Sequence, residues 1–506
     1  MSPPLSHIFI LMLENRSFDH MLGFSGIVGT DAVTGRRRPI NGLTGSEANQ
    51  YQGKTYAVSH PADAVMAADP GHEFTDTVEQ LCGPTATYPS GGNYPAINQS
   101  GFVNDYAAHA RTGVGAIMKC FSPDQLPVLT MLASTYAVCD SWFASIPGPT
   151  FPNRFFACGA SSGGLDHSPT TGEILTWETI AGFQLPHGSI FDALGAKFGS
   201  GWRIYAGDNF PMATALKNIH HANVINFSSF ASDVANANYP WHYTWIEPNY
   251  GDVAGGTYQG GNSQHPLDGV TAGEALIKST YEAIRKSPHW GTSLLIITWD
   301  EHGGFYDHVT PPRAVPPGDT QPGSKYNQYG FTFGQYGVRV PAVVVSPLIP
   351  PNTVDGRLYD HASIPATVEA AFGLKPLTAR DAAANTLLPL LSLTQPRDTP
   401  KRLPTPVPLE APRVRQIMPR LTETVDSGNL PGVLLAAARL DQAISPPSES
   451  HAILARVQSI QTREDARQYM DEVNQKAETE RAKEQARLRL LRRKPRKRTT
   501  KRKSAR

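Results

Sequence analysis

Apolar positions in this chain gather in short unbroken runs. His7–Leu13 (HIFILML) and Ser293–Trp299 (SLLIITW) contain almost no polar residue. Such runs suit strands buried on both faces, as in a parallel sheet. A third run, Val338–Val345 (VRVPAVVV), carries Pro341, which predicts an irregular strand or one near a sheet edge. Between them, Ala272–Ser287 has helical periodicity. Leu276, Ile277, Tyr281 and Ile284 form one stripe, and Lys278, Glu282 and Arg285 lie off it. A helix followed by a buried strand predicts an α/β protein with a mostly parallel central sheet flanked by helices.

The intervening segments lack that regularity. Residues 25–115 are rich in Gly, Pro, Ser and Asn, and residues 160–265 are similar with more aromatics; both are expected to be loop-rich cap insertions. The aromatics Trp202, Tyr205, Trp241, Tyr243 and Trp245 read either as core or as an apolar entrance. Residues 376–415 are Pro-rich, as in a wrapping linker. Residues 416–490 have the composition of a solvated helical extension, and 491–506 that of a basic disordered tail. No internal repeat is visible.

Composition changes this picture in three places. The 44 Gly and 43 Pro fit a loop-rich enzyme better than a helical bundle. The net charge of +1 hides an asymmetry: Arg481–Arg506 holds 14 Lys/Arg against one Glu, leaving −12 on the first 480 residues. An acidic body lacks the basic surface of a nucleic-acid enzyme. Cys82, Cys120, Cys139 and Cys158 form no CxxC pair and are expected to be buried free thiols. No apolar run approaches the ~20 residues of a membrane-spanning helix. Met1–Pro4 carries no Lys or Arg, and Ile8–Leu13 ends at once in Glu14-Asn15-Arg16, unlike an export signal. The expectation is a cytoplasmic or membrane-peripheral protein, with export left open.

The chemistry concentrates where the apolar runs stop. The first ends in Glu14-Asn15 and the second in Asp300-Glu301. In open α/β sheets, ligands bind outside the carboxyl ends of the strands. Two such ends can bring three carboxylates and an amide around one point, and a divalent cation is the simplest relief of their repulsion. The bland alternative is a helix cap and a turn. Gly303 and Gly304 permit a sharp turn beside the second pair. A third segment, Pro147–Arg154 (PGPTFPNR), sets Thr150 in a stiff turn. A threonine hydroxyl is a poor nucleophile until a metal lowers its pKa. Arg154 is suited either to hold a phosphate or to pair with a carboxylate and fix the turn.

These segments, ENRSFDH at Glu14–His20, TFPNR at Thr150–Arg154 and DEHGGFYDHV at Asp300–Val309, resemble the signatures of one family of phosphoesterases. GVRVPAVVVSP at Gly337–Pro347 and DHASIPATVEAAFGL at Asp360–Leu374 extend the resemblance, which spans residues 6–375. The family contains bacterial phosphocholine-type phospholipases C, plant non-specific phospholipases C and bacterial acid phosphatases, within the alkaline-phosphatase-like superfamily. The resemblance implies a catalytic domain over 1–375. It implies one divalent ion (Ca²⁺, Mg²⁺, Mn²⁺ or Zn²⁺) held by Glu14, Asn15, Thr150, Asp300 and Glu301. Thr150 is the implied nucleophile. His72 and His265 are implied at the phosphate, with Asn15 meeting developing charge. His220 or His221 matches a further histidine, and Arg154 joins them as a substrate-binding residue. His20, His302 and His308 lie inside the motifs, as groups that orient ligands. Asp268 stands where some plant relatives carry a second histidine.

The function implied is phospholipase C chemistry. Thr150 attacks phosphorus, a protonated histidine such as His265 donates to the leaving diacylglycerol, and water hydrolyses the phosphothreonine. Two alternatives remain at this stage: a broad-specificity acid phosphatase, and a protein that binds anionic lipid or nucleic acid through its basic tail. Membrane attraction by the tail fits a phospholipid substrate best, and nucleic acid fits poorly.

Overall fold

A computed structural model describes residues 5–176, 181–410 and 416–493. The first four residues, Pro412 of the linker and the basic tail from 494 onward lie outside the described residues.

Among the described residues, ten strands form the main sheet. In chain order they are β1 (His7–Leu13), β2 (Val28–Asp31), β3 (Arg37–Pro39), β4 (Ala137–Cys139), β5 (Trp202–Ala206), β6 (Val224–Asn226), β7 (Tyr243–Glu247), β8 (Ser293–Trp299), β9 (Ala342–Val345) and β10 (Thr353–Asp355). They lie side by side as β3-β2-β10-β4-β9-β8-β1-β7-β5-β6. β1 is parallel to both its neighbours, β8 and β7, and β7, β5 and β6 continue the parallel set. β9 runs antiparallel to β8 and β4. Every residue of β1 and of β8 is buried, as their unbroken apolar runs require.

Six helices matter for the site: α1 (Phe74–Cys82), α2 (Pro127–Thr135), α3 (Thr150–Gly159), α4 (Val270–Lys286), α5 (Leu430–Ile444) and α6 (Arg463–Arg493). The predicted helix is α4, begun two residues earlier. Its Glu274, fully buried, accepts the backbone N–H groups of Val128 and Leu129 at 2.8 and 2.9 Å and so caps α2.

Three expectations change. Residues 160–265 are not a cap, because they supply β5, β6 and β7, and β7 pairs directly with β1. Trp202, Tyr205, Tyr243 and Trp245 are accordingly buried core and form no entrance. β9 is an interior strand, and Pro341 ends just before it, where no ladder N–H is needed. The C-terminal extension is not a solvated helix at its start: Leu430, Leu434, Leu435 and Ala436–Ala438 are fully buried in the core that holds β1 and β8. α5 lies so close to α3 that a Cβ on Gly432 would fall 2.0 Å from the Phe151 ring.

Lys278, Tyr281 and Arg285 of α4 donate to the carbonyls of Leu403, Pro400 and Thr399. All four cysteines are free, three of them buried. No helix among the described residues is long and apolar enough to cross a membrane.

Candidate active site

β1 and β8 are in register, Leu13 opposite Trp299, so Glu14-Asn15 and Asp300-Glu301 leave the same sheet edge side by side. Backbone bonds lock them: Asp300 N–H to Leu13 O (3.2 Å), Arg16 N–H to Glu301 O (2.9 Å), and Asn15 N–H to Asp300 Oδ1 (3.1 Å). Asn15 takes a left-handed φ of 57°, a conformation asparagine tolerates better than most residues. Gly303 (φ 62°) approaches so closely that a Cβ would lie 2.3 Å from Asn15 O.

Thr150 opens α3, and Asn153 fixes the turn before it. The Asn153 amide donates to Gly148 O and Pro149 O and accepts from Ile146 N–H. Arg154, one helical turn on, donates from Nε to Asp300 Oδ2 (2.8 Å) and from Nη2 to Leu13 O (3.1 Å). Positions four apart share a helix face, so this pair sets Thr150 against the two strand ends. Of the two roles open to Arg154, the structure shows the carboxylate pairing, and only Nη1 is left unpartnered. Asp300 and Leu13 take Nε and Nη2 of the fork, which leaves Nη1 for a further partner.

Several buried polar atoms here have no hydrogen-bond partner: Glu14 Oε2, Asn15 Oδ1 and Nδ2, Thr150 Oγ1, Glu301 Oε1 and His265 Nε2. Burying such groups unpaired is costly, and their concentration at one sheet edge points to a shared partner. Four of them are hard oxygens, the donor set that suits a divalent cation. Burial and the neighbouring Asp300 push the Glu14 carboxyl well up, against the pull of Arg154. Burial also lifts Asp300 to about 6, with Arg154 opposing and Glu301 reinforcing it. A cation among these oxygens would reverse both shifts. Asp69, His72 and His265 form an acid–imidazole group whose ligand atoms lie within 4.8 Å of one another.

His72 and His265 stand with ring centres 6.3 Å apart. Burial disfavours charge on His72, but Glu301, Asp69 and Glu73 outweigh it and raise it to about 10. Burial, His72 and Arg16 hold His265 far below its usual value, so it is the neutral partner. Its ring stacks on Tyr258 at 3.4 Å and 5°. The loop carrying it is fixed by Arg16, which donates to Gln264 O and His265 O. Gln80 of α1 ties the other loops together, accepting from His302 Nε2 (2.6 Å) and donating to Gly71 O (2.7 Å).

The remaining motif residues are scaffold. His20 donates from Nδ1 to Lys119 O and meets Arg16 through Nε2. Arg339 bridges Asp19 and Asp307, and His308 rests on Asp19, which clamps the first and third motifs to each other. His361 donates from Nε2 to the Asp300 carbonyl at 2.6 Å.

The structure does not bring His220 or His221 to this cluster. They stand at a short turn before β6, and His221 lines a different cavity with Asn209 and Ile225; its charged neighbours are Arg439 and His220. Two contributors had no sequence signal. Asn429, the residue before α5, donates to Glu14 Oε1 at 3.1 Å. Tyr258, with φ 53°, supplies the face under His265. A cavity of about 260 Å³ opens over Asp69, His72 and Tyr258.

Comparison with known protein families matches residues 5–375 to the phosphoesterase family. The chain belongs to the phosphoesterase family. Non-specific phospholipase C6 of Arabidopsis thaliana is 37% identical over 432 residues, covering 81% of this chain and 76% of that protein. Phospholipase C A of Mycobacterium tuberculosis is 26% identical over 481 residues, 85% of each chain. Among solved structures, an alkaline phosphatase superfamily protein from Vibrio parahaemolyticus aligns at 13% identity and a TM-score of 0.31, over 52% of this chain and 64% of that one. A structural likeness that loose adds nothing to the fold described above. The phosphoesterase is a phosphoric-ester hydrolase.

Proposed function

We propose that this phosphoesterase acts as a phospholipase C, releasing diacylglycerol and a phosphorylated head group from phospholipid through a phosphothreonine on Thr150. The observation that carries the reading is the unpartnered, fully buried Thr150 hydroxyl on the helix that Arg154 ties to Asp300 and Leu13, together with the unpartnered oxygens of Glu14, Asn15 and Glu301 that follow β1 and β8. The relatives named phospholipase C support the lipid substrate.

Glu14, Asn15, Thr150, Asp300 and Glu301 form the set that would hold a divalent cation, which when bound acidifies the threonine hydroxyl and draws charge from the phosphoryl oxygens. Thr150 Oγ1 forms the new bond to phosphorus as the bond to the diacylglycerol oxygen breaks. Asn15, its amide Nδ2 unpartnered, donates to a phosphoryl oxygen. His72 is better suited than His265 to protonate the leaving alcohol. Its Nδ1 donates to Pro70 O at 2.8 Å, and the ring lines the cavity. Arg16 and Tyr258 hold His265 as a neutral wall. The Thr150 proton leaves to solvent on attack; water then adds to phosphorus as the bond to Thr150 Oγ1 breaks, one water proton passes to that oxygen, and His72 is reprotonated from solvent.

One observation favours a second reading. The cavity is walled by Asp69, Glu73, Asp76 and His109 as well as by Leu267 and Ile417, so it is charged rather than apolar. Such a mouth offers little apolar surface to a diacylglycerol, which favours a small phosphomonoester.

Parallel assays on phosphatidylcholine vesicles and p-nitrophenyl phosphate separate the two readings, since diacylglycerol release identifies the lipase. Thr150→Ala is expected to lower turnover at least ~10³-fold with the fold intact. Turnover near wild type in that variant would remove Thr150 from the scheme.

A further inference from the structure

Arg463, the first residue of α6, is only 5% exposed. Its Nε and Nη1 have no hydrogen-bond partner, and Nη2 has only a long 3.5 Å contact with Val253 O. No carboxylate among the described residues lies within ion-pair distance of it. The contrast with its neighbour is direct: Arg467, one turn later, pairs with Asp252 at 2.7 Å. Arg463 instead lines the cavity that His72 and Asp69 line. The backbone makes room for it, because a Cβ on Gly256 (φ 66°) would lie 2.7 Å from its Nη2.

A buried guanidinium with two free donors is costly unless an anion meets it. The ligand chemistry follows from its shape. A planar fork matches two oxygens of a tetrahedral phosphate. We infer that Arg463, brought by the C-terminal extension, grips the phosphate of the substrate at the mouth of the site opposite His72. This inference rests on the phosphoesterase reading of that site and deepens it. It makes the extension a part of substrate binding. Asn429, on the same extension, already reaches Glu14.

The test uses the full chain loaded with a divalent cation. Inorganic phosphate binding is measured by calorimetry, and KM and kcat are measured on p-nitrophenyl phosphate and on phosphatidylcholine vesicles. Arg463→Gln is expected to weaken phosphate binding about 10- to 100-fold, the loss typical of a charge-assisted hydrogen-bonded pair. KM should rise on both substrates with kcat within a few-fold, and the affinity for the cation should be unchanged. Unchanged phosphate affinity in a folded variant overturns the inference. So does a loss confined to vesicles, which would place Arg463 on the lipid surface instead. Should Arg463→Gln fail to fold, Arg463→Lys retains the charge without the fork. An intermediate phosphate affinity is then expected, and wild-type affinity overturns the proposal. Failure of the parent reading looks different: the wild-type chain itself would then bind no phosphate and hydrolyse neither ester.

Discussion

Substituting Gly303 by alanine puts the proposed geometry under its most direct strain. The added methyl would sit 2.3 Å from Asn15 O and 2.8 Å from Asn15 C, both backbone atoms with no rotamer to yield. Ordinary carbon contacts lie near 3.5 Å, so the two loops must part by roughly 1 Å. Alanine in the left-handed region costs about 1 kcal/mol, and overpacking a rigid contact adds about 1–3 kcal/mol. The sum, about 3 kcal/mol, lowers Tm by several degrees without unfolding a domain of this size. The effect on chemistry should be larger than the effect on stability. Asn15 lies on one side of the contact. On the other, the Gly303 N–H holds Glu301 Oε2 at 2.6 Å. Parting the loops therefore separates two proposed ligands, and a displacement near 1 Å costs about 10²-fold in rate. Steady-state kinetics on a phosphate ester, calorimetric titration with Mg²⁺ or Mn²⁺, and melting with and without chelator read the three quantities separately. A Gly303→Ala protein with wild-type kcat/KM and cation affinity, whatever its Tm, would show that the closeness of these loops does not serve the site.

Other predictions follow from neighbouring contacts. Asp300→Asn leaves the buried Arg154 without its partner and should cost about 3 kcal/mol in the metal-free protein. Glu301→Gln, whose Oε1 has no protein partner, should weaken cation binding by roughly 10-fold or more; calorimetric titration with Mn²⁺ checks this, and unchanged affinity would remove Glu301 from the ligand set. Asn429→Ala removes the donor to Glu14 Oε1 and should cost about 1–3 kcal/mol, seen as a lower denaturation midpoint. His167 sits between Asp166 and Glu173, 3.1 Å from each; burial opposes its charge, but the two carboxylates raise it to about 9. A raised histidine contributes stability fully present below its unfolded value near 6.5 and lost as pH rises through about 9. The loss is at most ~3 kcal/mol, and His167→Gln should flatten that part of the stability–pH curve. A variant that keeps the wild-type slope between those pH values would show that His167 is not the titrating group.

The C-terminal helices deserve to be counted with the catalytic domain in any truncation. α5 buries its apolar face in the core that carries β1 and β8, and residues 429 and 463 reach the site from it and from α6. A chain cut near 375 would expose that core and remove the Asn429–Glu14 contact together.

What the amino-acid order determined on its own is local. β1 and β8 were legible because a strand buried on both faces admits almost no polar residue. α4 was legible because its buried stripe repeats at the helical period. The Glu14-Asn15 and Asp300-Glu301 pairs were legible because they stand where such runs stop. The short strands β5–β7 were not, since three to five residues amid glycine, proline and asparagine carry too little periodicity to outweigh loop composition. Tertiary structure alone decided which polar groups meet. Asn429 finds Glu14 across 415 residues, Arg154 finds Asp300 across 146, and His221 is left in another cavity. The physical reason is that periodicity records which face of an element is dry. A hydrogen bond between distant elements depends on how those faces stack, and it leaves no repeating mark on the chain.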